Sequence, residues 1–325
     1  MPKVSILVAV YQAEAFLSQC LDSLKNQSLD DFEAICVDDG STDGSLRILQ
    51  RYASEDARIK VIRLDENKGQ AHARNVALAQ AQGDYICMLD ADDWLSEDAL
   101  EQAVNAFDEQ TDCMLFDVVY HWTDGREEMY QMPDFEMLTG EEAFRLSLTW
   151  QIHGLYMVRL ALHRQYPYDD SCRAYSDDNT TRIHYLYARQ VRRCKGRYYY
   201  RQHPKSVTHG VSVRRFDYLK ANEQMRRMMV EAHVSTTMID AYENARWLNL
   251  IDVCMFLHVH CSELSAEERT YGLKEIRRVW ASIDRRALKK ETIAKFGYRP
   301  YGLWWMFRLQ EWLYFTLRGF LGKNH

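Results

Sequence analysis

The sequence predicts an α/β fold with a mostly parallel central sheet, helices on both faces, and a helical C-terminal extension. Three observations predict it. Over the first hundred residues a strand pattern and a helix pattern alternate four times, the order that folds into a parallel sheet flanked by helices. Two of the loops that follow strand patterns, Asp38–Asp43 and Asp90–Asp93, carry clustered aspartates, and strand ends at one edge of such a sheet are where ligands bind. Beyond about residue 214 the pattern is helical. The expected division is therefore an α/β domain over 1–213, with halves 1–110 and 111–213, and a helical region over 214–325.

The elements follow in order. Val4 to Val10 is almost wholly apolar and reads as a strand covered on both faces. From Glu14 to Gln27 the apolar residues Phe16, Leu17, Cys20, Leu21 and Leu24 form one helical stripe. Phe32 to Val37 is a second strand, closed by the polar loop Asp38-Asp39-Gly40-Ser41-Thr42-Asp43-Gly44, where Thr42 or Asp43 caps the next helix. Ile59 to Leu64 is a third strand, Gln70 to Gln80 a helix after the Asn67-Lys68-Gly69 turn, and Tyr85 to Leu89 a fourth strand. Ser96 then caps a helix to Phe107. Cys113 to Tyr120 reads as a strand, Asp124-Gly125 as a hairpin turn, and Thr139 with Glu142 as a capping box. Leu160 to Arg164 is a short helix, Tyr175-Ser176-Asp177-Asp178 opens another that reaches about Ala188, and Cys194 to Tyr200 is an edge strand. One or two helices fill Asp217 to His260, another fills Ala266 to Ala294, and the aromatic run Tyr301 to Phe315 closes the pattern.

Composition excludes several classes. The 325 residues are 47% hydrophobic and 27% charged, an ordinary folded composition. The formal charge of -6 argues against nucleic acid as a partner. The eight cysteines include no Cys-x-x-Cys pair and several sit in apolar runs, which suits reduced core residues and a cytosolic compartment. No signal-peptide pattern opens the chain, and no apolar run is long enough to span a bilayer.

The chemistry centres on Tyr85-Ile86-Cys87-Met88-Leu89-Asp90-Ala91-Asp92-Asp93, an apolar strand ending in carboxylates. Carboxylates crowded together repel unless a cation or substrate compensates them. Asp90 and Asp92 are the pair suited to Mg²⁺ or Mn²⁺, hard cations that take oxygen ligands. The plain alternative is a solvated turn with an aspartate capping the helix that follows.

Four stretches then resemble one known family, the inverting nucleotide-sugar glycosyltransferases of family 2, which have the GT-A fold. They are Val4-Ser5-Ile6-Leu7-Val8-Ala9-Val10-Tyr11, Val37-Asp38-Asp39-Gly40-Ser41-Thr42-Asp43, Asn67-Lys68-Gly69-Gln70-Ala71-His72-Ala73-Arg74-Asn75 and Leu89-Asp90-Ala91-Asp92-Asp93. The resemblance is firm over roughly residues 3–107, fair to about 210 and weak beyond. It implies contacts to a UDP-sugar from Ala9, Tyr11, Asp39, Gly69, Arg74, Asp90, Ala91 and Arg201, with Asp39 accepting from the pyrimidine ring N–H. Its plain alternative is that Asp38 and Asp39 cap local backbone N–H groups. Arg74 either adds charge near the phosphates or forms a salt bridge to a nearby aspartate. The resemblance implies Asp92 as direct ligand of Mn²⁺ or Mg²⁺, Asp90 at the ribose or a cation-bound water, and His203 or His209 reaching the cation or a phosphate. Asp178 matches the residue that takes the acceptor proton. Asp177 stands where many relatives have Glu, and it is the other candidate base. The strict processive signature Gln-x-x-Arg-Trp is absent, which points to transfer of one sugar. Rivals are a nucleotidyltransferase and a degenerate sugar-nucleotide-binding scaffold.

The C-terminal segment bears on location. Basic residues outnumber acidic ones from Lys274 to Lys323, and Trp280, Trp304, Trp305, Trp312 and Tyr314 add residue types of a membrane interface. This reads as peripheral contact with the inner face of the cell membrane, suited to a glycan or lipid-linked oligosaccharide acceptor. A helical cap on the catalytic domain or a dimer interface are the alternatives.

Overall fold

A computed structural model of the chain describes residues 1–170, 175, 177–203, 211–294 and 299–321. The chain folds as two compact units, Met1–Ser206 and Val207–His325.

In the first unit, strand β1 (Val4–Val10) pairs in parallel with β2 (Phe32–Asp38), and β2 with β3 (Ile59–Arg63). Helices α1 (Leu17–Lys25), α2 (Ser45–Glu55) and α3 (Gln70–Gln80) connect them and lead on to β4 (Tyr85–Met88), which pairs in parallel with the other side of β1. The stripe on α1 is buried as its spacing requires, through Leu17, Cys20, Leu21 and Leu24. Each of these leucines contributes about 1.5–3 kcal/mol on burial.

The chain then departs from a plain alternation. Trp94–Leu95 forms a two-residue strand, β5, before helix α4 (Ala99–Ala106). The expected helix start at Ser96 is displaced because this segment is recruited by strand pairing: Leu95 and Trp94 lie opposite Tyr198 and Tyr199, and the Trp94 and Tyr199 rings stack 5.1 Å apart. Strands β6 (Thr111–Trp122), β7 (Glu127–Met129) and β8 (Met137–Thr139), helix α5 (Gly140–Ser147), strand β9 (Tyr156–Arg159), helices α6 (Leu160–Gln165) and α7 (Asp177–Tyr187), and strand β10 (Gln190–Gln202) complete the unit. The capping box at α5 is formed by Thr139 and Glu142.

The sheet order is β3-β2-β1-β4-β9-β6-β10-β5, with β7 on β6 and β8 on β10. The β3-β2-β1-β4 half is parallel, as its crossover helices dictate. The other half is mixed, since β9 runs antiparallel to both β4 and β6 while β10 is parallel to β6. The expected edge strand at Cys194–Tyr200 lies within the longer β10, which pairs with β6 on one side and, on the other, with β8 at Gln190–Arg192 and with β5 at Tyr198–Tyr199, so it is interior where those short strands meet it.

The second unit is helical: α8 (Asp217–Glu231), α9 (Thr236–Val259), α10 (Ala266–Ser282), α11 (Lys290–Ala294) and α12 (Trp304–Phe320). The pattern at Asp217–His260 resolves into two helices, broken where His233 takes φ 54°. The stretch read as one helix to Ala294 ends at Ser282, where Ile283 turns extended. Trp247, Leu250, Cys254, Trp280, Phe307 and Phe315 form this unit's core. Among the described residues no helix is long and apolar enough to cross a membrane.

Candidate active site

The parallel half of the sheet delivers the ends of β1, β2 and β4 to one edge, and the loops that leave this edge build the site. Asp39 follows β2 and is 2% exposed. Its carboxylate oxygens accept from the backbone N–H groups of Lys68 (2.9 Å) and Gly69 (2.8 Å). The two loops approach so closely that a Cβ on Gly40, at φ 73°, would lie 2.9 Å from the Glu66 carbonyl carbon. Glycine tolerates both the angle and the approach. Asp39 therefore fastens the Asn67–Gly69 turn in place, the capping alternative, although across the fold rather than locally. The neighbouring Asp38 is fully buried. One of its oxygens accepts from Ser41 N–H at 3.3 Å, and Oδ2 has no partner among the described residues. Ala9 is half-buried near the end of β1, and Tyr11 is exposed beyond it.

At the end of β4, Asp90, Asp92 and Asp93 bring carboxylate oxygens within 4.8 Å of one another. Asp90 Oδ1 accepts from Arg74 Nη2 at 2.5 Å and from Gln70 Nε2 at 2.9 Å. Asp93 is 1% exposed. Its oxygens accept from the Tyr198 hydroxyl (2.9 Å) and the Arg201 backbone N–H (2.8 Å), while the Tyr198 oxygen accepts from Asp90 N–H. Burial first, and then the charges of Asp92 and Asp90, push the Asp93 carboxyl well above its ordinary range. Burial likewise raises Asp90, opposed by Arg74 and assisted by Asp92 and Asp177. Asp92 has the most open side chain of the three, 36% exposed, with its Oδ2 3.0 Å from His203 Nε2. This donor set is all carboxylate oxygen, crowded enough that burial and mutual repulsion oppose its ionisation, so it fits a divalent hard cation that would relieve that repulsion, with Asp92 best placed to reach one. Ala91 is buried between Asp90 and Asp92. His209 lies outside the described residues.

Arg201 sits at the end of β10 with its side chain held in the protein. Nε donates to the Asp92 carbonyl and Nη2 to Gln19 Oε1, both at 2.7 Å, and the guanidinium lies between the Phe16 and Trp94 rings. It clamps the Asp92 backbone. The His203 ring packs on Phe16 at 4.6 Å.

Arg74 resolves its two alternatives in favour of the salt bridge, and in a double form. Fully buried, it donates to Asp90 as above and to Asp177 Oδ2 at 2.9 Å. The first half of the fold is thereby tied to the first turn of α7. A charge so engaged is an organiser of carboxylates. Asp178, next on α7, has its carboxyl pushed up to about 7 by burial and then by Asp177, with Arg182 and Arg74 opposing. A carboxylate raised into this range is a competent proton acceptor near neutral pH. Arg182, four residues on and one helical turn away, lies over the ring of Trp150 at 4.9 Å. Trp150 is 42% exposed, although its backbone takes φ 57°.

Sequence reasoning did not assign roles to Asp93, Tyr198, Gln70 or Arg182. Asp93 belongs to the same aspartate run, and Arg182 follows Asp178 at helical spacing, so both carried a local signal. Tyr198 opens a run that resembles relatives, but nothing local pointed to its partners, which lie 108 and 105 residues away.

Residues 5–168 match the model of Glycosyl transferase family 2. The chain is 40% identical over 128 residues to the Putative glycosyltransferase EpsH of Bacillus subtilis (strain 168), a match covering 39% of this chain and 37% of that protein. To the Uncharacterized glycosyltransferase EpsJ of the same organism it is 32% identical over 219 residues, 64% of this chain and 63% of that one. Both matches span less than two thirds of the relative's length. Among solved structures, S. aureus TarS 1-349 in complex with UDP-GlcNAc resembles the chain with a TM-score of 0.67 at 22% identity, over 88% of this chain and 82% of that one. The likeness shows that the fold is the expected GT-A arrangement with a helical C-terminal region.

Proposed function

The chain belongs to glycosyl transferase family 2, and from that premise we propose that it moves a single sugar from a UDP-sugar, with inversion, onto a glycan or lipid-linked oligosaccharide in the assembly of a bacterial surface polysaccharide such as O-antigen or capsule. The observation that carries this reading is the double ion pair of Arg74, which joins the aspartate cluster after β4 to the acidic pair opening α7. A cation-binding group for a diphosphate and a proton acceptor for a hydroxyl then share one edge of the sheet.

Each residue has a role in this reading. Asp92 and Asp90 would hold Mn²⁺ or Mg²⁺, which when bound would supply positive charge against the diphosphate of the donor. Asp93, Tyr198, Arg201 and His203 fix the loop that carries them. Asp39 and Gly69 shape the nucleotide pocket, with Tyr11 and Ala9 at its wall. The donor nucleotide is taken as UDP, the nucleotide of the complex with TarS. Asp178 accepts the proton of the acceptor hydroxyl as its oxygen attacks the anomeric carbon and the nucleoside diphosphate departs. One base and one displacement give inversion. The acceptor approaches from the side of Trp150 and Arg182. The basic aromatic C-terminal segment supports peripheral attachment to the inner face of the cell membrane, which would suit a lipid-linked acceptor.

The test is calorimetry of UDP, GDP, CDP and dTDP with Mn²⁺ and again with EDTA. UDP alone should bind tightly, and EDTA or Asp92→Ala should abolish that binding. Donor turnover by Asp92→Ala equal to that of the native protein, with acceptor in excess, would overturn the reading.

A further inference from the structure

Helix α12 has two faces of different kinds. Phe307, Glu311 and Phe315 on one side are buried in the second unit, at 0%, 4% and 1% exposure. At helical spacing on the opposite side stand Trp305, Leu309, Trp312, Leu313, Leu317 and Phe320, each between 47% and 85% exposed. A surface helix normally shows polar residues to water. Here the charged residues of the helix are Arg308, Glu311 and Arg318, and none of them stands on the outward face. Arg308 pairs with Glu311, and Arg318 donates to the Tyr314 hydroxyl. A continuous apolar stripe of this kind marks a surface that meets something apolar.

Charge identifies the occupant. From Lys274 to Lys323 basic residues outnumber acidic ones twelve to four, whereas the whole chain stands at -6. The remainder of the chain therefore carries all of the acidic excess. Several cations flank the stripe. The Arg308 and Arg277 guanidinium groups each lie 5.8 Å from the Trp304 ring, on one side. On the other, the exposed Arg299 is tied to α12 by two hydrogen bonds between its backbone and the Gln310 side chain. A second copy of the chain would bring the same cations and be repelled by them. An anionic bilayer offers acyl chains to the stripe and phosphates to its flanks, and tryptophans favour the boundary between the two. The helix, about 25 Å long by its rise per residue, would lie in the membrane plane.

The geometry points to the outward face of α12 as an in-plane docking surface for an anionic phospholipid bilayer. The inference rests on the peripheral membrane contact proposed above and assigns it to particular side chains.

The test is flotation of the purified full chain with phosphatidylcholine vesicles and with vesicles doped with phosphatidylglycerol, at low and high salt. The protein should float with the doped vesicles, and high salt should weaken the association. The double variant Trp305→Ser/Trp312→Ser, altered only at exposed positions, should lose about tenfold or more of its partition while keeping the native melting curve. UDP binding is titrated on the same preparations. Absence of flotation with intact UDP binding overturns this surface alone, and flotation without UDP binding overturns the donor reading alone. Equal flotation of the double variant also overturns the surface. Light scattering that shows a dimer lost in the double variant, with no vesicle binding, would assign the face to a second copy instead.

Discussion

Arg74 is the side chain whose removal reports most directly on how the two halves of the site are joined. It is fully buried, and its two partners keep 22% (Asp90) and 30% (Asp177) of their side chains exposed. With charge centres about 4 Å apart and an effective dielectric of about 20, the two ion pairs contribute about 4 kcal/mol each. Withdrawing the guanidinium and parts of two carboxylates from water costs several kcal/mol. The net is about 3 kcal/mol, at the lower end of what breaking a buried pair costs, because the carboxylates regain some water. Arg74→Met should therefore lower unfolding stability by about 3 kcal/mol in a urea titration. It should also release Asp177, let α7 shift, and reduce transfer about a hundredfold, the effect of a misplacement of about 1 Å at a reacting group. Arg74→Lys carries a compact ammonium in place of the fork and satisfies one carboxylate well, so it should fall between the two. Stability within about 0.5 kcal/mol of native, the range of an ordinary surface substitution, together with an unchanged transfer rate, would refute the bridging role.

Two further predictions concern protons. Because the Asp178 carboxyl is raised to about 7 and the base role proposed for it requires the deprotonated form, transfer should rise with pH through an apparent pKa of about 7. Asp178→Asn should bind UDP normally yet transfer about 10²–10⁴-fold more slowly, and native transfer by this variant would move the base to Asp177. Burial pushes the His153 imidazole down to about 3 and that of His184 down to about 4. The unfolded chain takes up these protons near the usual imidazole value of about 6.5, so stability is full above that pH and declines as pH falls towards the folded values. Each group contributes a slope of up to about 1.4 kcal/mol per pH unit in that window. Urea midpoints at pH 7 and pH 5 should differ accordingly, and a flat profile would mean that these rings take up protons in the fold. The transfer profile is best read above pH 6.5, where this loss of stability has not begun.

The parallel half of the fold was legible in the sequence because each of its elements has a local cause. An apolar run makes a buried strand, a stripe makes a helix, and Gly40 and Gly69, both at positive φ, make the turns between them. The places of Asp90, Asp92 and Asp178 at the ends of their elements were legible for the same reason, since each sits in a contiguous acidic motif beside a readable element. The start of α4 and the interior place of β10 were not. Trp94 and Leu95 look like the approach to a helix until Tyr198 and Tyr199 arrive from more than a hundred residues away to pair with them.

By itself, then, the sequence determined the crossover order, the loops that carry carboxylates to one edge, the family, and the basic aromatic character of the C-terminal segment. The tertiary structure alone decided which charges meet. Arg74 reaches Asp177 across 103 positions, and His203 reaches Asp92 across 111. It also decided that Asp39 spends its oxygens on the Lys68 and Gly69 amides, and that the outward side of α12 is left apolar. The reason is physical. Strand, helix and turn preferences arise from neighbouring residues, whereas an ion pair or an uncovered face depends on which surfaces the whole chain brings together, and no local pattern records that.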